Sequence, residues 1–563
     1  MSLLLPLALI LPLALALTWS VPALRPVITR LTPWAALPAL AASFWLPAGV
    51  DLKVPWLLLG AHFGLDPTGT PFLSFTALLW WLAGLYGLRY QANDPQRDRF
   101  FFFYLLTMAG NLGLILAQDM LSFLLLFALM SIAAYGLVIH PGNQEARRAG
   151  RVYLSMVVIG EACLFSAMIL LAVEMNTLEI VQTPVVSSDP VVLTLLLIGF
   201  GIKLGLLPLH FSLPPAYAAT PTPGAAVLGG AMINAGLLGW LRFLPLGQMP
   251  LPSWGTGLIV AGLIAAFYGV LVGLAQREPK ALLAYSSISQ MGLITLGVGV
   301  GLVAPAQWPL VLTTLTLFAL HHALAKGALF LGVGLARHGG GILVGLALLF
   351  PALTLAGAPF TSGAIAKTAL KSLSHLAPSP WSDGLPGLLL ASSIGTTLLM
   401  ARFIDLTWPK DLKGRLPLGM WLPALGLLLA VDLATWLWPY ADQAASASLK
   451  FSAIKSGGEA ILLGIALFLL GALLCRRLEW RWFIPSGDIL ILIERWLRIL
   501  ARWTHQIIQP IPRLPSQLFT LPRRLDLHTT PTRLEAALQR WRNFGLLFLI
   551  IALVLYGTLI QQG

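Results

Sequence analysis

Apolar runs of about twenty residues follow one another along nearly the whole 563-residue chain, with only short polar interruptions. A run such as VYLSMVVIGEACLFSAMILLA (152–172) is long enough to cross a hydrocarbon layer as a single helix. Inside a bilayer every backbone N–H and C=O needs an internal partner, which leaves helices and closed barrels. A barrel would be written in short alternating segments rather than long Leu/Ala/Gly stretches. The chain is 58% hydrophobic and 10% charged, whereas about 25% is charged in an ordinary soluble domain. The fold class is therefore all-α, a polytopic transmembrane helical bundle of about 15–16 spans. Spans are expected to start near residues 3, 34, 69, 101, 119, 150, 191, 222, 254, 280, 308, 341, 386, 416 and 457, and a last one near Phe544. The first 24 residues lack the basic n-region and small-residue cleavage site of a signal peptide and are read as the first span.

The formal net charge is +13, but the basic residues do not form a nucleic-acid stripe. They fall in alternate loops: Arg25/Arg30, Arg89/Arg97/Arg99, Arg147/Arg148/Arg151, Arg277/Lys280, Arg337, Lys410/Lys413/Arg415 and Arg476/Arg477/Arg481. The intervening loops are poor in Lys/Arg or acidic, as at Glu174, Glu179 and Asp189. The positive-inside rule then puts the basic set in the cytoplasm and the N-terminus outside. The expected location is a bacterial inner (plasma) membrane, with the lipid bilayer as the first partner and nucleic acid excluded. Tryptophans near expected span ends, Trp80, Trp81, Trp240, Trp408, Trp438, Trp480 and Trp482, read as an interfacial belt. After Arg481 the pattern becomes amphipathic, with Ile, Leu and Trp set against Glu494, Arg495, Arg498 and Arg502, as in a surface helix.

Against this background a few charges stand out. Lys203 lies within the apolar run from Val191 to Phe211, and Lys367 lies in a similar setting. A charge at membrane depth costs about 2.5–3.5 kcal/mol on insertion scales, so it is retained for a task. Both lysines stand beside helix-breaking prolines, Pro208 in the first case and Pro359 in the second. Such Pro/Gly-interrupted segments in two parts of one chain point to an ion-transport site. His322 and Lys326 are four residues apart and share one helical face. Glu161 is the acid of its apolar run, and His210 follows Pro208. Asp119 opens a span, where a helix cap is the simpler role. Structural lysines bonded to carbonyls freed at a break, and snorkelling lysines near helix ends, are the competing readings.

Four strings carry a family resemblance: KLGLLPLHFSLPPAYAATPTPG, KALLAYSSISQMGLI, HHALAKGALFLGVGL and APFTSGAIAK. They resemble the proton-conducting antiporter-like subunits of respiratory complex I, membrane-bound hydrogenases and multisubunit Mrp-type cation/proton antiporters. The resemblance implies two inverted five-helix repeats, each with a broken helix, and a midplane axis of lysines and histidines. It divides the chain into N-terminal helices (1–100), a first repeat (101–246), a second repeat (247–408), C-terminal helices (409–482), and a surface helix, linker and final span (483–563). It makes Lys203 and Lys367 the charged residues of the two broken helices, with His322 and Lys326 on the helix before the second break. His210 stands where the family often has a polar residue. Two departures matter. The family glutamate that pairs with the first lysine falls at Ala128, and the next core helix offers only Asn234, with Leu228 at the histidine position. Glu161 is the candidate replacement.

The expected function is proton or cation translocation through a relay of Lys203, Glu161, His210, His322, Lys326 and Lys367, with Asn234 and Asp119 as supporting polar groups. The expected partners are other membrane and soluble subunits of a complex, and protons or Na+. Any enzymatic role is that of the ion-translocating subunit of a redox-driven complex, NADH dehydrogenase-like or hydrogenase-like. The chain carries no Gly-rich phosphate loop, no HExxH and only Cys163 and Cys475, so no cofactor and no metal site is expected within it. Two rivals remain. One is the membrane subunit of an inorganic-carbon uptake system driven by an ion gradient; the other is a non-conducting anchor.

Overall fold

A computed structural model describes residues 3–180, 187–339, 341–379, 381–409, 417–439, 441–477 and 484–485. The expected amphipathic helix and the span near Phe544 lie outside the described residues. Helices α1 (Leu4–Thr18), α2 (Arg25–Leu31) and α3 (Leu37–Trp45) open the chain. A small antiparallel hairpin follows, β1 (Asp51–Val54) pairing with β2 (Ala61–Gly64) so that Asp51 faces Gly64 and Val54 faces Ala61. Next come α4 (Gly69–Tyr90), α5 (Arg97–Leu116), α6 (Met120–Val138) and α7 (Gln144–Met175). One interrupted span holds α8 (Pro190–Leu204) and α9 (Leu213–Ala219); another holds α10 (Thr222–Val227), a π-helical turn (Leu228–Met232) and α11 (Asn234–Phe243). Then follow α12 (Pro252–Leu274), α13 (Pro279–Val303) and α14 (Trp308–Arg337). The second broken pair is α15 (Gly341–Ala356) and α16 (Ser362–Ser372), succeeded by α17 (Trp381–Thr407), α18 (Leu418–Trp436), α19 (Asp442–Ser448) and α20 (Phe451–Arg477).

Twelve helices among the described residues are long and apolar enough to cross a membrane, or thirteen if the bent opening segment is one span. Hydropathy placed the helices well; the largest offsets are α7, starting at Gln144 rather than near 150, and α20, starting at Phe451 rather than near 457. The count is lower because the first two expected spans are a bent run of short helices, α15 stops after 16 residues, and the span expected near Phe544 lies outside the described residues. The core is formed by α4, α10, α11, α13 and α14: the spanning windows over Thr222–Phe243 and Pro305–Arg337 are wholly buried, while that of α20 is mostly exposed. Trp80 and Trp240 belong to this interior and not to an interfacial belt. Both are fully buried, and their indole N–H groups donate to Asn111 Oδ1 at 2.9 Å and to the Leu196 carbonyl at 3.3 Å.

Small residues let the central helices approach closely. A Cβ added at Gly262 would lie 2.4 Å from the Gly292 carbonyl oxygen, and one at Gly255 would lie 2.5 Å from that of Gly299. Positions seven apart on α12 thus meet positions seven apart on antiparallel α13, the close backbone packing that holds helices together in lipid. At the other end of the fold, Arg242 at the end of α11 forms a buried ion pair with Asp66 at 2.6 Å. Its guanidinium also donates to the Leu114, Ile115 and Ala117 carbonyls, which close α5. Removing one partner of such a pair strands the other charge, at a cost of about 3–5 kcal/mol. Arg242→Met is expected to lower the thermal unfolding temperature of the detergent-solubilised protein markedly. Asp405→Asn, which breaks the half-exposed Arg402–Asp405 pair, should leave it nearly unchanged.

Candidate functional site

Both broken helices end their first half in the same way. α8 closes on Gly205 (φ 75°) and α15 on Gly357 (φ 90°), left-handed positions that suit glycine. In the first, Leu206 N–H donates to the Gly201 carbonyl and Gly205 N–H to that of Ile202; in the second, Ala358 N–H donates to Leu353 and Gly357 N–H to Thr354. These are two Schellman caps, so the glycines set the break and Pro208 and Pro359 lie just beyond it. A helix C-terminus carries partial negative charge from its unpaired carbonyls, which favours a cation there. Lys203 sits two residues before Gly205, and Lys367 of α16 reaches back to donate to the Ala356 carbonyl at 2.6 Å.

Around Lys203, three helices meet. Its ammonium donates to Ser131 Oγ of α6 at 3.2 Å and lies 5.7 Å from the Phe127 ring centre and 5.9 Å from that of Tyr153. Tyr153 in turn donates to the Ser131 carbonyl at 3.1 Å. Glu161, two turns along α7 from Tyr153, lies within electrostatic range of Lys203. Both its carboxylate oxygens are buried, with no hydrogen-bond partner among the described residues. Ser131 stands one turn along α6 from Ala128, so the hydroxyl that meets Lys203 is beside the position where an acid is missing. A cavity of about 30 Å³ adjoins Lys203, bounded by Tyr153, Ser212, Tyr217 and the π-helical turn at Leu228 and Met232. π-helical turns recur at functional sites because they re-aim backbone groups; here the Leu228 carbonyl accepts from Tyr217 Oη at 3.1 Å. Asn234 is tied to the same turn, donating to Gly230 O at 2.6 Å, while its Oδ1 is buried with no partner among the described residues.

The second cluster centres on α14. Lys326 is fully buried and donates to the Leu283 carbonyl of α13 at 2.9 Å. His322, one turn before it, is fully buried and neither ring nitrogen has a partner among the described residues. His321 faces another way: its Nδ1 meets Ser362 Oγ at 3.0 Å, at the start of α16. Ser362 N–H donates to Asp432 Oδ1 of α18 at 2.7 Å, so a third helix caps the second half of the broken span. The sequence alone does not single out Ser131, Tyr153, Ser362, Gly205 or Gly357. The glycine strings were visible; the side-chain meetings were not.

Lys367 borders a cavity of about 350 Å³ between α16, α17 and α20. His210 is fully buried against Tyr268, with ring centres 5.1 Å apart, and stands apart from the residues that line either cavity. Asp119 caps α6, accepting from Ser122 N at 2.8 Å, and also accepts from His62 N at 2.9 Å. The geometry thus brings Glu161 to Lys203, His322 to Lys326, and His321 to the break that carries Lys367.

Residues 117–376 match the family model described as NADH:quinone oxidoreductase/Mrp antiporter, TM. Hydrogenase-4 component B of Escherichia coli is 32% identical over 307 residues, covering 51% of this chain and 46% of its own length. NADH-quinone oxidoreductase subunit N of Desulforudis audaxviator is 30% identical over 421 residues, covering 69% of this chain and 78% of its own length. The fold is that of a chain in the Mrp complex from Dietzia sp., with a TM-score of 0.74 at 23% identity over 94% of this chain and 62% of that one. The chain spans about half the length of the hydrogenase relative.

The cavities predict unequal access to the two lysines of the second cluster. With Cys163 and Cys475 replaced by serine, Lys367→Cys should react readily with a small charged thiol reagent. Lys326→Cys should react slower by on the order of a hundredfold, because exposing it requires local opening of the bundle. Mass-spectrometric time courses of modification check this.

Proposed function

The chain belongs to the NADH:quinone oxidoreductase/Mrp antiporter membrane family, and we propose that it carries protons across the membrane through its own buried lysines, as a subunit of a larger complex. The observation that carries this reading is the pairing of Lys203 with Glu161. An ammonium and a carboxylate from neighbouring helices share one buried site, the ammonium held by Ser131 Oγ and the carboxylate within electrostatic range, beside a small cavity. In a low-dielectric interior, moving the carboxylate's influence on or off changes whether the lysine holds its proton. Glu161 then does from α7 what the family acid would do from the Ala128 position.

In this scheme the two five-helix repeats run over 101–246 and 247–408, each contributing one broken helix. Protons pass from Lys203 toward the buried His322/Lys326 pair, and Lys367 exchanges them with water in its open cavity. His321 lies beside the same break and joins the path at that end. Alternating loop charge places the cavity of Lys367 on the outer side, opposite the basic loops. Hydrogenase-type, complex I-type or Mrp-type partners would supply the driving reaction.

Lys203→Ala should reduce proton flux in inverted vesicles to background while the protein still assembles and purifies at normal yield. Unchanged flux would sink the relay and leave the anchor reading in its place. Glu161→Gln should lower flux without abolishing it, and adding Ala128→Glu should restore part of the loss. An Ala128→Glu/Glu161→Gln double variant no better than the single one would separate Glu161 from the lysine.

A further inference from the structure

The two broken helices differ in one respect that the relay does not use. Lys203 has a carboxylate within reach. Lys367 has none: its ammonium donates to a carbonyl, and among the described residues no carboxylate lines its cavity. The cavity holds more positive charge instead. Lys371, one turn further along α16, and Lys450, just before α20, both line it and are exposed. Hydroxyls of Ser372, Ser452 and Ser456 complete the polar wall. The acid on the adjoining turn of α20, Glu459, lies 3.8 Å from Lys455 on the helix exterior. The wall is held close to the break, because Gly457 packs α20 against it; a Cβ there would lie 3.2 Å from the Gly357 carbonyl oxygen.

Three lysines line one cavity of about 350 Å³ with hydroxyl side chains between them and, among the described residues, no carboxylate. Such a cavity repels metal cations and matches an oxyanion, whose oxygens accept charge-assisted hydrogen bonds from each lysine. These lysines also lie on the side of the membrane that the loop-charge pattern otherwise leaves poor in basic residues, which marks the cluster as local rather than part of a cytoplasmic basic set. We propose that this vestibule binds a phosphate-type oxyanion, held by Lys371 and Lys450 and supplying Lys367 with the counter-charge that Glu161 supplies to Lys203. The consequence for flux rests on the proton-path reading, but the site itself does not. The oxyanion comes either from solution or from a phospholipid headgroup beside α20.

The test is lysine protection in the full-length protein. Membranes are treated with a water-soluble amine-acylating reagent in inorganic phosphate or in chloride at matched ionic strength, and each lysine's labelling is followed by peptide mass spectrometry. Phosphate should slow labelling of Lys371 and Lys450 by about threefold once it exceeds its Kd about twofold, as mass action requires. Lys53 and Lys455 should be unaffected. Lys450→Gln, an exposed change with little folding risk, should remove the protection of Lys371. If protection appears without phosphate in phosphatidylglycerol vesicles but not in phosphatidylcholine, the headgroup is the source. Equal slowing at Lys53 and Lys455, or none at Lys371 and Lys450 with either probe, overturns the site. Because labelling does not depend on flux, such a failure leaves the Lys203 relay standing, and loss of the relay leaves the labelling result intact.

Discussion

An ammonium group inside a bilayer must find acceptors, and this fold supplies them mostly from its own backbone. Lys367 donates to Ala356, Lys326 to Leu283 and Lys280 to Thr220, each a main-chain carbonyl. Lys203 meets a hydroxyl and two aromatic faces instead. A carbonyl solvates a lysine without fixing its charge, since a neutral amine can donate to the same oxygen. A salt bridge, such as Asp66–Arg242, instead ties two opposite charges directly to each other. The molecule therefore separates two kinds of buried charge. The arginine pair ties helix ends together, while Lys326 and Lys367 are held by neutral carbonyls, so that a proton leaving either one strands no carboxylate.

The breaks add acceptors of their own. A helix that ends on a glycine within the membrane leaves its last carbonyls short of intrahelical partners, as at Ala356, which receives Lys367, whereas Lys326 shares the Leu283 carbonyl inside continuous α13. Both first halves, α8 and α15, use the same cap and present the same electronegative end to a lysine. The second halves differ. α16 is capped by Asp432 from α18 and touched by His321 from α14, so three helices converge on its start. Gly363 allows this, since an added Cβ would lie 1.7 Å from the Thr354 carbonyl oxygen.

Much of this was legible in the linear sequence, and for a physical reason. Hydropathy and loop charge are properties of each segment alone, so the positions of α4 to α20 and the exceptional status of Lys203, Lys326 and Lys367 could be read directly. Membership of the family was legible in strings that stay close together in the chain. What was hidden depends on neighbours far apart in sequence. Ser131 is 72 residues from Lys203 and Ser362 is 70 from Asp432. The tryptophans Trp80 and Trp240 were misread because an interfacial belt and a hydrogen-bonded interior indole have the same local pattern. The split between His321 and His322 was half visible, since adjacent residues on a helix point about 100° apart, but which face met the break needed the fold.

The two broken helices differ in their surroundings. Beside Lys203 the cavity is small, about 30 Å³, and a carboxylate lies within electrostatic range. Beside Lys367 the cavity is about 350 Å³, and among the described residues no carboxylate lines it. A carboxylate near a buried lysine acts on it strongly, because charges in a low-dielectric interior are poorly screened. A lysine beside a roomier, wetted cavity is screened by water and ions and responds instead to the solution it faces. The fully buried His322/Lys326 pair lies between these regimes, held to α13 through Leu283, and α13 is itself seated on α12 by the glycine seam.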